Sequence, residues 1–264
     1  MTSGHLCDMR TSTLVRWVSG TSALLASMLT GTFAQVEPMR TKPLGGQGTP
    51  LTVEIWSDVV CPFCYIGKRE FENALARFPH RDSVVVVWKS FELDPSAPAK
   101  REVDTYGMLM EKYGMTREQA MERTGGVRER AASLGLHYDF DKAIVGSSFD
   151  AHRLIQLAKS KGLGDAAEER LFKAYFTEGR HLADPATLKE LGSDIGLPAA
   201  EVEALFQSDA FTRDVRTDEQ EANELGVTGV PFFALDRRLA VSGAQNADSF
   251  LVTLQQAWES KAQR

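Results

Sequence analysis

The sequence predicts an α/β fold in which a sheet domain is interrupted by a large all-helical insertion. Three observations carry this. Leu51, Val53 and Ile55 alternate as in a strand, a helical pattern follows, and Ser83 to Phe91 makes a second apolar run, together a strand–helix–strand unit. From about Val103 to Gly226 apolar residues recur only at helical spacing. The strand pattern then returns from Gly226 to Leu235 and turns back on itself. The expected organisation is a leader and linker over residues 1–50, a sheet domain from 51–102 and 227–264, and a helical insertion over 103–226.

Each element has its own signal. Arg10 and Arg16 precede a modestly apolar stretch, Trp17 to Leu29, ending near Thr32-Phe33-Ala34. This reads as a secretory signal or, equally, as a leader upstream of a start at Met39. The Gly- and Pro-rich stretch Pro43–Pro50 is a linker on either reading. In the first helix Cys64, Phe71, Leu75 and Phe78 share a face, with Lys68, Arg69, Glu72 and Arg77 largely off it. Val84 to Trp88 is apolar without alternation, which predicts a strand in the middle of a covered, mostly parallel sheet. Trp56 and Trp88 read as core aromatics.

Inside the insertion, helix faces are expected at Tyr106, Leu109, Met110 and Tyr113; at Val127, Ala131 and Leu134; at Ala151, Leu154, Ile155 and Ala158; and at Leu171, Phe172, Tyr175 and Phe176. Asp184-Pro185 is a cap and first position for the next helix, and two more follow around Val202 and Val215. Gly125-Gly126, Gly162, Gly179 and Gly196 are expected to separate these elements. Asp236 to Arg238 makes a hairpin turn, and Asn246 caps a final helix whose buried face includes Phe250, Leu254 and Trp258.

The chemistry concentrates where the first strand meets the first helix, at Cys61-Pro62-Phe63-Cys64. Pro62 suits the first helical position, which makes Cys61 the N-cap, among unpaired N–H groups and the positive end of the helix dipole. Both favour a thiolate there. Free thiols titrate near pH ~8.5, and Cys-x-x-Cys thiols at helix ends span roughly 3.5 to 7.5. Cys64, one turn in, points to the core. The register therefore predicts an accessible, attacking Cys61 and a sheltered, resolving Cys64. Asp58, three residues before Cys61, either relays a proton or binds local N–H groups. His152 reads as a packing residue or an auxiliary, and Arg153 as solvated surface or an anion contact. Pro231, at the start of an internal strand, leaves two readings open: a partner-binding turn with a cis bond, or a strand terminator.

Composition excludes several classes. Thirty basic against thirty-six acidic residues, a net charge of −6, predict no nucleic-acid partner. The only further cysteine is Cys7, so four zinc ligands are lacking, and no metal or other cofactor is expected. No apolar run reaches the ~20 residues of a membrane span.

Taken together, Cys61-Pro62-Phe63-Cys64 at a strand–helix turn, the helical insertion, and Gly229-Val230-Pro231-Phe232 entering a hairpin resemble the DsbA family of the thioredoxin superfamily. Ser57-Asp58-Val59-Val60, Ser148-Phe149-Asp150-Ala151-His152-Arg153-Leu154 and Ser242-Gly243-Ala244-Gln245 resemble its FrnE-like branch. The resemblance covers about Leu51 to Trp258. It implies a thioredoxin-like sheet domain and a thiol–disulfide oxidoreductase or isomerase acting on protein thiols and disulfides, with glutathione as a further partner. It also implies Cys61 as nucleophile, Cys64 as resolving thiol, Pro231 in cis, and Val230, Pro231 and Phe63 as substrate contacts. Phe63 departs from the histidine carried by the periplasmic oxidant of the family, which argues against a strongly oxidising pair. The FrnE-like branch is often cytosolic, which implies a cytoplasmic location; a signal peptide over residues 1–34 would imply a periplasmic or secreted one. Two other functions fit the fold. One is a glutathione-dependent isomerase or transferase, which uses a serine at the Cys61 position. The other is a non-enzymatic peptide-binding chaperone module.

Overall fold

A computed structural model describes residues 49–262. The leader, with its signal-like segment and Cys7, lies outside the described residues. Strand β1 (Leu51–Ser57) leads into helix α1 (Pro62–Arg77), and a 3-10 turn (Arg81–Ser83) into strand β2 (Val84–Ser90). Seven helices follow: α2 (Thr105–Tyr113), α3 (Arg117–Ser133), α4 (Phe149–Ser160), α5 (Gly164–Phe176), α6 (Pro185–Asp194), α7 (Ala199–Phe206) and α8 (Thr212–Glu224). The hairpin β3 (Phe232–Leu235) and β4 (Leu239–Ser242) and the helix α9 (Ala247–Ala262) complete the chain. This is a thioredoxin-like sheet carrying a helical insertion. Among the described residues no helix is long and apolar enough to cross a membrane.

The sheet order is β2-β1-β3-β4, with β1 parallel to β2 and antiparallel to β3. The expectation for Val84–Trp88 was therefore wrong in two respects: β2 is an edge strand, and the sheet is mixed. Its apolar run has another cause. Val84, Val86 and Trp88 are buried in one core, while the opposite side of β2 is covered by α8. Lys89 on that side pairs with Asp218 at 2.8 Å and Glu221 at 3.1 Å of α8, and an inward-turned charge of this kind also protects an edge from pairing.

Two apolar cores flank the sheet. Val53, Ile55, Val86, Phe233 and Leu235 pack with Phe71 of α1 and Phe250 of α9. On the other face Trp56 and Ala234 join the core of the helical insertion. Helix α1 belongs to both, because Cys64, Tyr65 and Ile66 in its first turns enter the helical core while Phe71, Ala74 and Phe78 enter the sheet core. The end of α1 that carries the cysteines is thus set in the core of the insertion, and its far half in the sheet core.

Several local expectations need correction. Lys68 and Glu72 of α1 are buried, for the reason given below. Gly125-Gly126 does not break the chain, since α3 runs through it, started by a Thr116/Gln119 capping box and held by buried Ala120, Val127 and Ala131. Met110 is exposed, because α2 buries only the face of Thr105, Tyr106 and Leu109. The caps agree with the sequence: Asp184 accepts from Ala186 N and Thr187 N, and Asn246 from Ser249 N.

Candidate active site

Strand β1 ends at Ser57, and a tight turn, with Cys61 N donating to Asp58 O at 2.9 Å, delivers Cys61 to the end of α1. Cys61 is the N-cap in extended conformation and Pro62 the first helical residue, as the sequence implied. Cys61 Sγ lies 3.6 Å from the carbonyl oxygen of Val230. The Val230–Pro231 bond is cis. The Pro231 ring is seated on Gly67 of α1, where a Cβ would fall 2.9 Å from Pro231 Cγ, so only glycine allows this approach.

One expectation fails here. Cys61 is no more accessible than Cys64; their exposures are 0% and 1%. Helix register places a side chain on a face but says nothing of what covers that face. Cys61 is closed over by the Val230 carbonyl and by the apolar cluster to which Val59, Tyr138 and Val230 also belong.

The residues around the pair divide clearly. Asp58 is fully buried, and its carboxylate accepts from Val60 N at 3.2 Å and Leu93 N at 2.8 Å. Its own N–H faces Cys64 Sγ at 3.5 Å. Backbone binding, the plainer of the two readings, is what the geometry displays. His152 is buried with Nε2 3.5 Å from Asp58 Oδ1, a charge pair rather than a hydrogen bond, and neither ring nitrogen has a hydrogen-bond partner among the described residues. Burial pulls the imidazole down, but Asp58, then Glu168 and Glu92, more than offset it and push it up to about 9. Burial likewise pushes Glu92 and Glu168 up to about 7, against the opposing pull of the His152 charge. Phe63 is half-buried against the helical core and lines an apolar cavity. Arg153 contacts no site residue; its guanidinium donates to the carbonyls of Leu205, Ser208 and Ala210 around the end of α7.

A family profile described as "DSBA-like thioredoxin domain" matches residues 52–255. The chain belongs to this family. The DSBA-like match spans both halves of the sheet and the whole helical insertion. A curated relative, the uncharacterised protein YwbO of Bacillus subtilis, is 29% identical over 204 residues, 75% of this chain and 92% of its own. Among solved structures, a probable DsbA oxidoreductase from Streptomyces coelicolor is 46% identical with a TM-score of 0.77, over 79% of this chain and 90% of that one. The cytosolic disulfide reductase DsbM of Pseudomonas aeruginosa shares the fold, at 21% identity and a TM-score of 0.55, over 79% of this chain and 99% of that one.

Two features of this DSBA-like site escape a reading of the sequence. Tyr138, from the loop after α3, donates to Pro62 O at 2.7 Å and stacks on Tyr65, so it braces the cysteine turn from the insertion. Burial first, then the charge of Cys61, hold its phenol well above the usual range. No spacing marks it. The second feature is a buried ionic cluster: Lys68 pairs with Glu72, with Asp165 at 3.3 Å and with Glu169 at 2.9 Å of α5. Arg69 contacts Glu72 and Glu169, and Tyr65 donates to Glu169 at 2.7 Å. Lys68 and Glu72, four residues apart, were the available signal.

Proposed function

We propose that this protein is a thiol–disulfide oxidoreductase that exchanges disulfides with polypeptide substrates through Cys61 and Cys64. The observation that carries the reading is the position of Cys61, N-cap of α1 and opposite the Val230–Pro231 turn. Helix-end N–H groups and the dipole favour the thiolate of Cys61 over that of Cys64. The Cys61 thiolate attacks a substrate disulfide; the new Cys61–S bond forms as the substrate's S–S bond breaks, and the departing sulfur leaves as a thiolate that takes up a proton. Cys64 then attacks Cys61 Sγ and releases the second substrate thiol. The substrate gains two electrons and the protein holds a Cys61–Cys64 disulfide. The reverse sequence oxidises a substrate, and attack by a substrate's own thiol isomerises it. Because Cys61 is covered, a substrate must first displace the packing over it. Glutathione is the proposed small-molecule partner, in line with a structure of DsbM with GSH.

The test compares single-cysteine variants in a Cys7→Ser background. Cys64→Ala should accumulate mixed disulfides on Cys61 that dithiothreitol removes, while Cys61→Ala should form few and lose insulin-reducing activity. Equal adduct yields from the two variants would sink the assignment. A glutathione-dependent reaction on a small molecule that outpaced insulin reduction would favour the transferase reading instead.

A further inference from the structure

Tyr138 reaches the cysteine turn from the segment between α3 and α4. It is buried, with its ring stacked on Phe176 of α5 at 4.5 Å and on Tyr65 of α1 at 6.1 Å. Its hydroxyl donates to Pro62 O at 2.7 Å. In a helix that carbonyl already accepts from the N–H four residues on, so the phenol takes its second lone pair. The helix does not need this extra bond. The Pro62 carbonyl and the Phe63 N–H belong to one peptide unit, and a donor on the oxygen draws electron density from the nitrogen. The Phe63 N–H thereby becomes a stronger donor. An N-cap side chain accepts from the second or third helical N–H, which for Cys61 means Phe63 or Cys64. The Cys64 N–H is given to Cys61 O at 3.0 Å, so Phe63 is the donor open to a Cys61 thiolate.

We propose that Tyr138 is a positioning residue for thiol exchange, which raises the share of Cys61 present as thiolate by polarising the Pro62–Phe63 peptide. The proposal rests on the exchange reading above. As a thiol, Cys61 faces the Val230 carbonyl at 3.6 Å and takes no side-chain cap bond. Once deprotonated it has no hydrogen to give that oxygen, and it turns to the positive end of the helix. Burial first, then the charge of Cys61, hold the Tyr138 phenol well above its usual range, so it remains a donor while the thiol titrates. The other groups around the pair act through space: Tyr65 and Arg69 of α1, and, beside Cys64, Asp58 with His152. Tyr138 acts through the peptide, and altering its hydroxyl leaves those groups in place. One hydrogen bond strengthens the next by roughly 10–30%. On a bond to a charged group this corresponds to about a two- to threefold change in the acid constant of the thiol.

The experiment uses the full chain carrying Cys7→Ser and Cys64→Ala, in which Cys61 is the only thiol. Its titration is followed by the ultraviolet absorbance of the thiolate. Tyr138→Phe keeps the ring and removes the donor, and should move the midpoint up by about 0.3–0.5 of a pH unit. A ring-fluorinated tyrosine in place of Tyr138 is a more acidic phenol and a stronger donor, and should move the midpoint down. With Cys7→Ser alone and both working cysteines present, Tyr138→Phe should shift the equilibrium with glutathione about two- to threefold towards the Cys61–Cys64 disulfide, because the reduced pair loses part of what stabilises its thiolate. A ring that only packs leaves the midpoint unmoved by either change, and a mere brace loosened by both moves it in one direction. Either result overturns the proposal and leaves the exchange reading standing. The fluorinated variant decides the matter even if Tyr138→Phe fails to fold. A parent that titrates like a free thiol and forms no adduct with glutathione disulfide overturns the exchange reading, and the role of Tyr138 with it.

Discussion

Replacing His152 by glutamine should change not only how stable the protein is but how stability depends on pH. His152 is fully buried among Asp58, Glu92 and Glu168, with its imidazole pushed up to about 9. A group with a folded pKa above its unfolded value adds stability that is fully present below about 6.5 and is lost as pH rises through 9. Between an ordinary value of 6.5 and about 9 the linkage amounts to roughly 3 kcal/mol, an upper figure because the carboxylates share the same charge. Glu92 and Glu168 act in the same direction at lower pH. Held up at about 7, they bind protons in the folded state that the unfolded chain has released, so stability falls as pH rises from about 4.5 to 7. Folding should therefore be strongest on the acid side and weaken steadily towards pH 9. The assay is urea unfolding at intervals from pH 6 to 9, in a Cys7→Ser, Cys61→Ser, Cys64→Ser background so that no thiol titrates in the window. His152→Gln, which leaves the buried Asp58 carboxylate without its cation, should cost about 3 kcal/mol at pH 6. It should flatten the curve and approach the parent by pH 9. A parent midpoint that does not move between pH 6.5 and 9, or a variant with an unchanged slope, would refute the reasoning.

Three further outcomes follow from the packing of α1 and α3. Lys68→Met should destabilise by about 3–5 kcal/mol in urea, because Glu72 and Asp165 lose a buried partner; Glu169, partly exposed, is relieved by solvent. That deficit should shrink towards pH 5 as Glu72, whose carboxyl burial already pushes up, takes up a proton. Gly67→Ala should destabilise by about 1–3 kcal/mol and slow insulin reduction despite alanine's better helix propensity, since its methyl group would meet Pro231; a gain in stability would refute the contact. Gly126→Ala, exposed in α3 with nothing within 4 Å of its Cβ, should instead raise the unfolding free energy by about 0.5–1 kcal/mol. No change there would mean that α3 is not a continuous helix.

What the sequence determined by itself is local. The period of its apolar residues defined β1, α1 and the helices of the insertion, and cap chemistry located starts at Cys61, Asp184 and Asn246. The Cys-x-x-Cys turn and the Val230–Pro231 entry to the hairpin were legible for the same reason, because each is specified by adjacent residues. Tertiary structure decided everything that depends on what lies opposite. Val84–Trp88 is apolar on both faces in a central strand and equally in an edge strand covered by α8, so periodicity could not place it. Lys68 looked like a solvated charge until α5 brought Asp165 and Glu169 against it. Cys61 looked accessible from its helix register, yet Val230, 169 residues away in sequence, closes over it. Burial and charge pairing are properties of contacts between distant segments, and a one-dimensional pattern records which face a side chain occupies but not its neighbour.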